Sequence, residues 1–329
     1  MSRVVQFTEL GGPEVLKVVD AEVRAPKPDE VRIQVKAIGL NRAEAMFRAG
    51  KYLEKAKFPA HLGYEAAGIV ESIGEGVTGL RVGDAVSTVP NFSMLEYGMY
   101  GDLVVAPSYA VTKHPSNLSF VDAASIWMMY VTAYDGLIST AKLNASDTVL
   151  IPAASSSVGL AAIQITNMLG AKSVALTRTY AKAEQLKRAG AAHVIATEEQ
   201  DLVAEVQKIT DGKGATVTFD PVGGPTFAKL MAASAPEARL ILYGALSDEP
   251  TTLPLLETIG KRPIVTGSMI MTTSGDPVKL KVAIDFVNDG LKSGKLKPVI
   301  AKTFPLDQIV EAHRYLEANQ QFGKIVVTV

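Results

Sequence analysis

The segment Thr148–Arg178 constrains the fold of this chain more than any other stretch. It reads as an apolar strand, a short turn of small residues, a helix, a Gly170 stop and a second apolar strand. The helix carries its apolar side chains at Leu160, Ile163, Ile165 and Met168. This order predicts one βαβ unit, in which the turn aims backbone N–H groups and the positive end of the helix dipole at a bound group such as a pyrophosphate.

The turn itself carries only part of the glycine pattern that is typical of dinucleotide sites. The positions of G-x-G-x-x-G fall on Ala154, Ser156 and Gly159, so one of three glycines is present. Alanine and serine still allow a close approach of the backbone, and the hydroxyl groups of Ser155, Ser156 and Ser157 are possible donors to phosphate oxygens. A turn that binds nothing is the alternative interpretation, and the surrounding sequence must distinguish the two.

The end of the second strand distinguishes two nicotinamide cofactors. An NAD site has Asp or Glu here for the ribose hydroxyls, whereas this chain has Thr177, Arg178 and Thr179, followed by Lys182. A guanidinium can make a forked contact with a 2'-phosphate, and a lysine adds a point charge. The residues therefore favour NADPH over NADH, unless both cations only cover the start of a solvated helix.

The composition excludes several other classes of protein. The 329 residues are 47% hydrophobic and 20% charged with a net charge of −1, which is typical of a globular protein large enough for two domains and gives no sign of a nucleic-acid or membrane partner. The chain has no cysteine, so disulfides, thiolate zinc sites and a cysteine nucleophile are excluded. Neither a signal peptide nor a long apolar run is evident, and we expect a cytoplasmic protein.

The rhythm of the strands predicts an α/β chain with two domains. Short strands separated by Gly, Pro and Asp turns over residues 1–123 predict a compact barrel, and residues 267–329 are assigned back to that domain. Six apolar strands alternate with helices over residues 124–266, which predicts a doubly wound parallel sheet of six strands. Those strands are Val149–Pro152, Ser173–Leu176, His193–Ile195, Val217–Phe219, Leu240–Tyr243 and Ile264–Met269.

At this point the whole chain resembles the medium-chain dehydrogenase/reductase superfamily, and within it the zinc-independent quinone oxidoreductase branch. The motifs that carry the resemblance run in order from end to end: G-G-P-E-V-L, K-A-I-G-L-N, G-Y-E-A-A-G-I-V, V-G-D-A-V, A-A-S-S-S-V-G-L-A-A-I-Q, L-K-R-A-G-A, F-D-P-V-G-G and F-G-K-I-V-V. The resemblance implies that the barrel is a GroES-like catalytic domain and that the six-stranded domain is a Rossmann domain for NADPH.

The resemblance can be examined where zinc-dependent relatives hold their catalytic metal. The motifs place Asn41, Tyr64 and Met128 at the positions of the Cys, His and Cys ligands, and only Glu65 remains of the set. Zinc requires three protein ligands, so we expect no metal site. Without a Lewis acid, the better substrate carries its own electron sink, such as a quinone or a C=C bond conjugated to a carbonyl.

The resemblance also implies roles for individual residues. Asn41, Tyr52 and Tyr64 are the candidates for the substrate end and for catalysis, where an oxyanion or enolate is held and protonated. The residues implied to contact the cofactor are Asn41, Thr132, Ser155, Ser156, Ser157, Val158, Thr177, Arg178, Thr179, Lys182, Asp220, Val222, Gly244, Ala245 and Lys324. The expected reaction is hydride transfer from NADPH to an electron-poor C=C, C=O or C=N bond of a small molecule.

Two other functions remain open from the sequence. A zinc-free carbonyl or imine reductase is suggested by the unusual Tyr64, which could donate a proton, and an NADPH-binding protein with little turnover is the second alternative.

Relatives pair the last strand of the nucleotide domain across a two-fold axis. The β-prone, uncharged stretch Val265–Met271 therefore predicts a homodimer through this edge.

Overall fold

The computed structural model describes residues 1–329, which divide into two compact units. The first unit comprises residues 1–128 and 298–329, and the second comprises residues 129–297. The strands are β1 (Ser2–Gln6), β2 (Lys17–Ala21), β3 (Glu30–Gly39), β4 (Glu65–Ile73), β5 (Ala85–Thr88), β6 (Leu103–Pro107), β7 (Val111–Lys113), β8 (Thr148–Ile151), β9 (Lys172–Thr177), β10 (His193–Ala196), β11 (Ala215–Asp220), β12 (Ser234–Leu242), β13 (Ile264–Gly267), β14 (Ile300–Pro305) and β15 (Lys324–Thr328). The helices are α1 (Arg42–Arg48), α2 (Phe120–Ala123), α3 (Trp127–Tyr134), α4 (Ser157–Met168), α5 (Ala183–Arg188), α6 (Leu202–Ile209), α7 (Thr226–Ala233), α8 (Leu255–Lys261), α9 (Ile270–Ser274), α10 (Pro277–Lys292) and α11 (Ile309–Glu317).

The first unit is built on a seven-stranded sheet whose order is β14-β15-β3-β4-β5-β7, with β6 paired to the other half of β3. All of its pairings are antiparallel except β14 with β15. Strand β3 is buried along most of its length because β15, β4 and β6 all pair with it. This central strand ends at Gly39, which pairs with Glu65, the first residue of β4, and with Val326, two residues after the start of β15.

The second unit confirms the doubly wound sheet that the sequence predicts. Its six strands are all parallel in the order β10-β9-β8-β11-β12-β13, so the first strand of the βαβ unit lies in the middle. Fully buried apolar side chains on both faces of the sheet explain the continuous apolar runs. One cluster of this core contains Leu150, Val174, Leu176, Ile195, Val206 and Leu230.

The second unit extends further along the chain than the six-stranded domain that the sequence predicts, which ends at residue 266. Helix α10 belongs to the second unit, because it buries Leu280, Ala283 and Val287 and packs Phe286 against the ring of Tyr134 at 5.2 Å between centroids. The compact units of the structure thus place residues 267–297 with the second unit and residues 298–329 with the first, whereas the sequence analysis assigned all of residues 267–329 to the first domain.

The edge strand β13 is also shorter than the stretch Val265–Met271 that the sequence suggests. It ends at Gly267, and the chain turns into α9 from Ile270. Buried Asp135 causes this turn, since it accepts hydrogen bonds from the hydroxyls of Ser268 at 2.5 Å and Thr273 at 2.6 Å. No helix in the chain combines the length and the apolar character that crossing a bilayer requires.

Candidate active site

Three strand ends of the first unit bring distant residues together. Gly39 at the end of β3 pairs with Glu65 at the start of β4 and with Val326 in β15. Asn41, two residues after Gly39, and Lys324, two residues before Val326, meet beyond this pairing. A side chain at position 39 would block this meeting, because a Cβ there would lie 2.0 Å from the carbonyl oxygen of Ala124 and 2.9 Å from Cε of Lys324.

A buried ion pair forms the centre of this cluster. The ammonium of Lys324 donates to Oε2 of Glu65 at 2.5 Å and to Oδ1 of Asn41 at 2.6 Å. The two charged side chains are 0% and 1% exposed. The amide group of Asn41 donates in turn to Glu65 at 3.2 Å, and the other oxygen of Glu65 accepts from the backbone N–H of Met128 at 2.8 Å. Every polar atom of Glu65 therefore has a partner, and the orientation of Asn41 is set by its neighbours.

Glu44 joins the cluster from the first turn of α1, and the sequence analysis missed it. Its Oε1 accepts from Nδ2 of Asn41 and from the backbone N–H of Tyr64, both at 3.2 Å, while Oε2 has no hydrogen-bond partner in the protein. Burial raises the pKa of Glu44 to about 7, although the ammonium of Lys324 opposes this shift. The signal in the sequence was its place three residues after Asn41, which puts both side chains on one side of the first helical turn.

Tyr52 and Tyr64 form a second pair at the same place. Their hydroxyl oxygens are 3.3 Å apart, so one hydroxyl donates to the other. Tyr64 is 2% exposed and its ring packs against Phe92, whereas Tyr52 is half-buried. Burial raises the pKa of both hydroxyls, most strongly that of Tyr64. The three expected catalytic residues, Asn41, Tyr52 and Tyr64, thus lie in one connected group through Glu44.

The residues at the zinc-ligand positions make other contacts. Oε1 of Glu65 accepts from the backbone of Met128, and its Oε2 accepts from the buried ammonium of Lys324. No group of three or more His, Cys, Asp or Glu side chains in the chain could hold a metal ion. The group bound beside Asn41 and Glu65 is the ammonium of Lys324. Its expected contact with the cofactor stays a prediction, because its ammonium is fully buried among these partners.

In the second unit, the small-residue turn has the geometry of a nucleotide-binding turn. Ala153 adopts a left-handed conformation with φ 49°, and Ser156 caps α4 by accepting from the N–H of Gly159 at 3.0 Å. A Cβ at Gly159 would lie 2.7 Å from the carbonyl oxygen of Ala153, so the one remaining glycine of the pattern permits close packing of helix on strand. The N–H groups of Ser157 and Val158, in the first turn of a 12-residue helix, have no partner within the helix.

Two cations lie beside this turn. The ammonium of Lys182 donates to the hydroxyl of Ser155 at 3.2 Å, and Arg178 is exposed at the end of β9. Burial and the nearby charge of Arg178 lower the pKa of Lys182. Thr177 ends β9, and its carbonyl accepts from the N–H and the hydroxyl of Thr197 at 2.8 and 3.2 Å. The neighbouring Thr179 precedes a single helical turn. Two neighbouring cations that repel each other are suited to an anion with more than one negative charge.

The ends of β11 and β12 complete this edge of the sheet. Asp220 is buried and accepts from the N–H groups of Val222 at 2.8 Å and Gly223 at 3.1 Å, although burial still raises its pKa. Gly244 passes so close to this loop that a Cβ would lie 2.7 Å from the carbonyl oxygen of Pro221. Val222, Gly244 and Ala245 thus lie at the carboxyl ends of adjacent strands, where open α/β sheets bind ligands. Thr132, the remaining expected residue, is buried on α3.

Comparison with known families matches both units. The family model described as alcohol dehydrogenase GroES-like domain matches residues 27–116, and the one described as zinc-binding dehydrogenase matches residues 157–289. The name of the second family mentions zinc, but this chain has no group of three or more His, Cys, Asp or Glu side chains that could hold a metal ion.

Among the proteins that match the chain over nearly its full length are a human and a bacterial enzyme and one solved structure. Human quinone oxidoreductase is 30% identical over 99% of this chain and 98% of its own length. The 2-haloacrylate reductase of a Burkholderia species is 31% identical over 96% of both chains. Among solved structures, Escherichia coli quinone oxidoreductase complexed with NADPH superimposes with a TM-score of 0.91 at 29% identity, covering 99% of this chain and 100% of that chain.

Proposed function

The chain belongs to the medium-chain dehydrogenase/reductase superfamily, in its zinc-independent quinone oxidoreductase-like branch, and from this premise we propose that it is an NADPH-dependent reductase of quinones or α,β-unsaturated carbonyl compounds. Membership makes it an oxidoreductase. The single observation that carries the substrate class is the Lys324 ammonium beside Asn41 and Glu65, where zinc-dependent relatives place a Lewis acid. A substrate that accepts hydride without metal activation suits such a site.

The names of the relatives support a conjugated substrate. Two of the matching proteins are a quinone oxidoreductase and a 2-haloacrylate reductase, and both names describe compounds whose C=C bond is conjugated to an electron-withdrawing group. Hydride addition to such a bond places the negative charge on an oxygen, where hydrogen bonds can stabilise it.

The residues of the second unit fit NADPH. The capped N-terminus of α4 offers the N–H groups of Ser157 and Val158 to the diphosphate. Arg178 and Lys182 would hold the 2'-phosphate, whose charge relieves the repulsion that lowers the pKa of Lys182. The end of β9, Thr177–Thr179, carries no carboxylate that could accept hydrogen bonds from the ribose hydroxyls of NADH.

The first unit supplies the groups that hold the product. The chemistry that bound NADPH supplies is hydride transfer to an electron-poor carbon. Tyr52 and Tyr64 share one hydrogen bond, which leaves one of their two protons free to stabilise the developing oxyanion. Asn41 accepts from Lys324 and donates to Glu44, and Glu44 accepts from the backbone N–H of Tyr64, so hydrogen bonds connect the ion pair to the backbone that carries Tyr64.

The test is consumption of NADPH with a metal chelator present, using 1,4-naphthoquinone, 2-cyclohexenone, cyclohexanone and 2-methyl-1-pyrroline as separate substrates and NADH as the paired control. We expect turnover of the quinone or the enone that is indifferent to the chelator and faster with NADPH. The variant Y64F, which keeps the ring and removes the hydroxyl, should lower kcat by on the order of 10²-fold. Loss of activity with the chelator would contradict the proposal.

The hydroxyl pair of Tyr52 and Tyr64 favours one second candidate, a zinc-free carbonyl or imine reductase, because a tyrosine hydroxyl can protonate an alkoxide or amine. Turnover confined to cyclohexanone or 2-methyl-1-pyrroline would indicate it. Binding of NADPH without turnover of any of the four compounds would instead indicate a binding role.

We further propose that the protein is a homodimer through the edge of its parallel sheet. Strand β13 has only β12 as a neighbour, and its Ile264 and Val265 are 60% and 39% exposed. The preceding helix α8 exposes Leu255, Leu256 and Ile259. An unpaired apolar edge of this kind is better covered by a second copy than by water. Light scattering at micromolar concentration should show a dimer that V265K converts to a monomer, and a monomeric parent chain would refute the proposal.

A further inference from the structure

A tight turn between β5 and β6 lies beside the two tyrosines of the candidate site, and none of its side chains has a role in the chemistry described so far. Ser93 begins the turn, because its carbonyl oxygen accepts from the N–H groups of Glu96 at 3.2 Å and of Tyr97 at 3.1 Å. Its hydroxyl oxygen accepts from the N–H of Leu95 at 3.0 Å. The turn brings the ring of Tyr97 back to that of Phe92, with 5.9 Å between the ring centroids. We call residues 92–97 the bridging turn.

The first contact of the bridging turn is with Tyr64. The ring of Phe92 packs against the ring of Tyr64 with 5.7 Å between the centroids, and the two side chains are 5% and 2% exposed. A buried ring that is packed on one face tilts only if a gap opens in the interior, and close-packed interiors resist such gaps. Phe92 therefore restricts the orientation of the Tyr64 ring and the place of its hydroxyl.

The bridging turn is itself anchored to the start of the central strand β3. The hydroxyl of Tyr97 donates to Oε1 of Glu30 at 3.0 Å, and Glu30 is 5% exposed. The same carboxylate accepts from Nη2 of Arg24 at 2.9 Å and from the backbone N–H of Lys27 at 2.8 Å. Hydrogen bonds from the Arg24 guanidinium lower the pKa of Glu30 to about 2, so Glu30 is ionised at neutral pH. Hydrogen bonds to an ionised acceptor are stronger than neutral ones, and one of them holds the bridging turn on β3.

The second contact of the bridging turn reaches the segment that carries Tyr52. The hydroxyl of Ser93 donates to Oε1 of Glu54 at 2.5 Å, and Glu54 lies two residues after Tyr52. Residues 51–59 form neither a helix nor a strand, so the position of Tyr52 depends on side-chain contacts. Among these contacts are the edge-on packing of its ring against Phe47 at 6.5 Å and the hydrogen bond between Ser93 and Glu54.

The distance between the two tyrosine hydroxyls makes their positions critical. The hydroxyl oxygens of Tyr52 and Tyr64 are 3.3 Å apart. This is longer than the roughly 2.5–3.0 Å that is usual for an O–H···O hydrogen bond. A small displacement of either ring therefore breaks this hydrogen bond, and the free hydroxyl that the proposed chemistry uses then loses its orientation.

We propose that the bridging turn positions the hydroxyl pair of Tyr52 and Tyr64, with Ser93 and Phe92 as the positioning residues. This proposal rests on the proposed reductase function, in which the pair stabilises the developing oxyanion. One short turn braces both members of the pair, and its anchor on β3 ties the separation of the two hydroxyls to the sheet of the first unit.

The first experiment reads the positions of the tyrosines without substrate or cofactor. The full chain is labelled with 3-fluorotyrosine, and the fluorine resonances of Tyr52 and Tyr64 are assigned with Y52F and Y64F. S93A removes the hydrogen bond to the Tyr52 segment, and Y97F removes the anchor on β3 but keeps every ring. We expect S93A to shift the Tyr52 resonance and Y97F to shift the Tyr64 resonance. If either resonance keeps its parent position, the proposal is wrong.

The second experiment measures kcat and KM with 1,4-naphthoquinone and NADPH for S93A and F92L, each in the parent and in the Y64F background. In the parent background we expect each change to lower kcat on the order of ten-fold and to leave KM for NADPH unchanged, since a misplacement of about 1 Å can cost about 10²-fold. In Y64F no hydroxyl pair remains to be aligned, so both changes should leave kcat unaltered. Equal factors in the two backgrounds would indicate a merely structural role and would overturn the proposal.

The first unit offers a matched control for each change. S72A is the control for the serine change, because the hydroxyl of Ser72 also donates to a glutamate, Glu71, at 2.6 Å. F304L is the control for the phenylalanine change, since Phe304 is 6% exposed and its ring packs against Tyr315 at 5.8 Å. Both variants should keep the parent kinetics. No turnover by the parent protein would overturn the proposed function, whereas the fluorine resonances would still decide whether the bridging turn positions the tyrosines.

Discussion

Breaking the buried ion pair of Lys324 and Glu65 should destabilise the first unit strongly. Both side chains are almost completely buried with 2.5 Å between Nζ and Oε2. Replacing one partner leaves the other charge unpaired in the interior, which costs about 3–5 kcal/mol. K324M and E65Q should therefore each lower the free energy of unfolding by about that amount.

The double variant K324M/E65Q should cost much less than the sum of the single changes. It carries no unpaired charge, and its main defect is the oxygen of Asn41 that loses the Lys324 donor at 2.6 Å. An unsatisfied buried acceptor costs about 1–3 kcal/mol. We expect the double variant to be at least as stable as either single variant, since a neutral replacement of a buried pair is often tolerated.

Urea unfolding followed by tryptophan fluorescence measures the stability of the parent, the two single variants and the double variant, and it reports on the first unit. Trp127 is the only tryptophan of the chain, is buried, and donates to the hydroxyl of Ser87 at 2.8 Å within the first unit. R314M is the control, because the ion pair of Arg314 with Glu311 on α11 is about half exposed and contributes roughly 0.3–0.5 kcal/mol. Effects of K324M and E65Q that add to within about 0.5 kcal/mol in the double variant would refute the coupling.

Three further predictions follow from single positions. Burial raises the pKa of Glu44 from 4.5 in the unfolded chain to about 7 in the folded one, so the stability is greatest below pH 4.5, falls as pH rises and has lost this contribution once pH passes 7. Parallel urea titrations at pH 5 and pH 8 should show that E44Q avoids a loss of about 2.5 kcal/mol, and equal pH dependence in the parent and E44Q would contradict this. R178A should raise KM for NADPH by about ten- to a hundred-fold in steady-state assays and leave KM for NADH unchanged, while an equal effect on both cofactors would exclude a 2'-phosphate contact. G39A should cost roughly 1–3 kcal/mol by Trp127 fluorescence, because its Cβ would meet the carbonyl oxygen of Ala124 at 2.0 Å, and an unchanged unfolding midpoint would show that this backbone yields freely.

The parts of the fold that the sequence predicted are those written in local patterns. Buried parallel strands have apolar runs and the helices between them have a 3.6-residue period, so all six strands of the second unit were predicted. Their bounds agree within two residues except at the start of β12, which begins at Ser234, six residues before the predicted Leu240. Strand β13 was predicted too long, because Ser268 and Thr273 bind Asp135, which lies more than a hundred residues earlier. The short barrel strands β2 and β7 each depend on a pairing partner, β1 for β2 and β5 for β7, rather than on a strong pattern of their own.

The residues of the candidate site also fall into two groups, those that sequence spacing or motifs predicted and those that only the fold brings together. The turn with Ser156 and Gly159 and the cations Arg178 and Lys182 lie within thirty residues of one another, so their sequence spacing already placed them together. The group of Asn41, Tyr52 and Tyr64 was expected from motif resemblance, and the structure shows how its members are connected. Glu44 escaped notice because an acidic residue in the first turn of a helix is ordinarily a solvated one that favours the helix dipole.

The sequence by itself therefore determined the α/β class, the βαβ unit with its phosphate-binding turn and the lack of cysteine ligands for zinc, since each depends on residue types and short spacings. Only the tertiary structure determined that Lys324 is buried against Glu65 and Asn41 and that Glu44 has an unpartnered oxygen. The physical reason is that the energy of a buried charge depends on every group around it. Here those groups come from three strand ends separated by up to 283 positions, and they meet only when the sheet has formed.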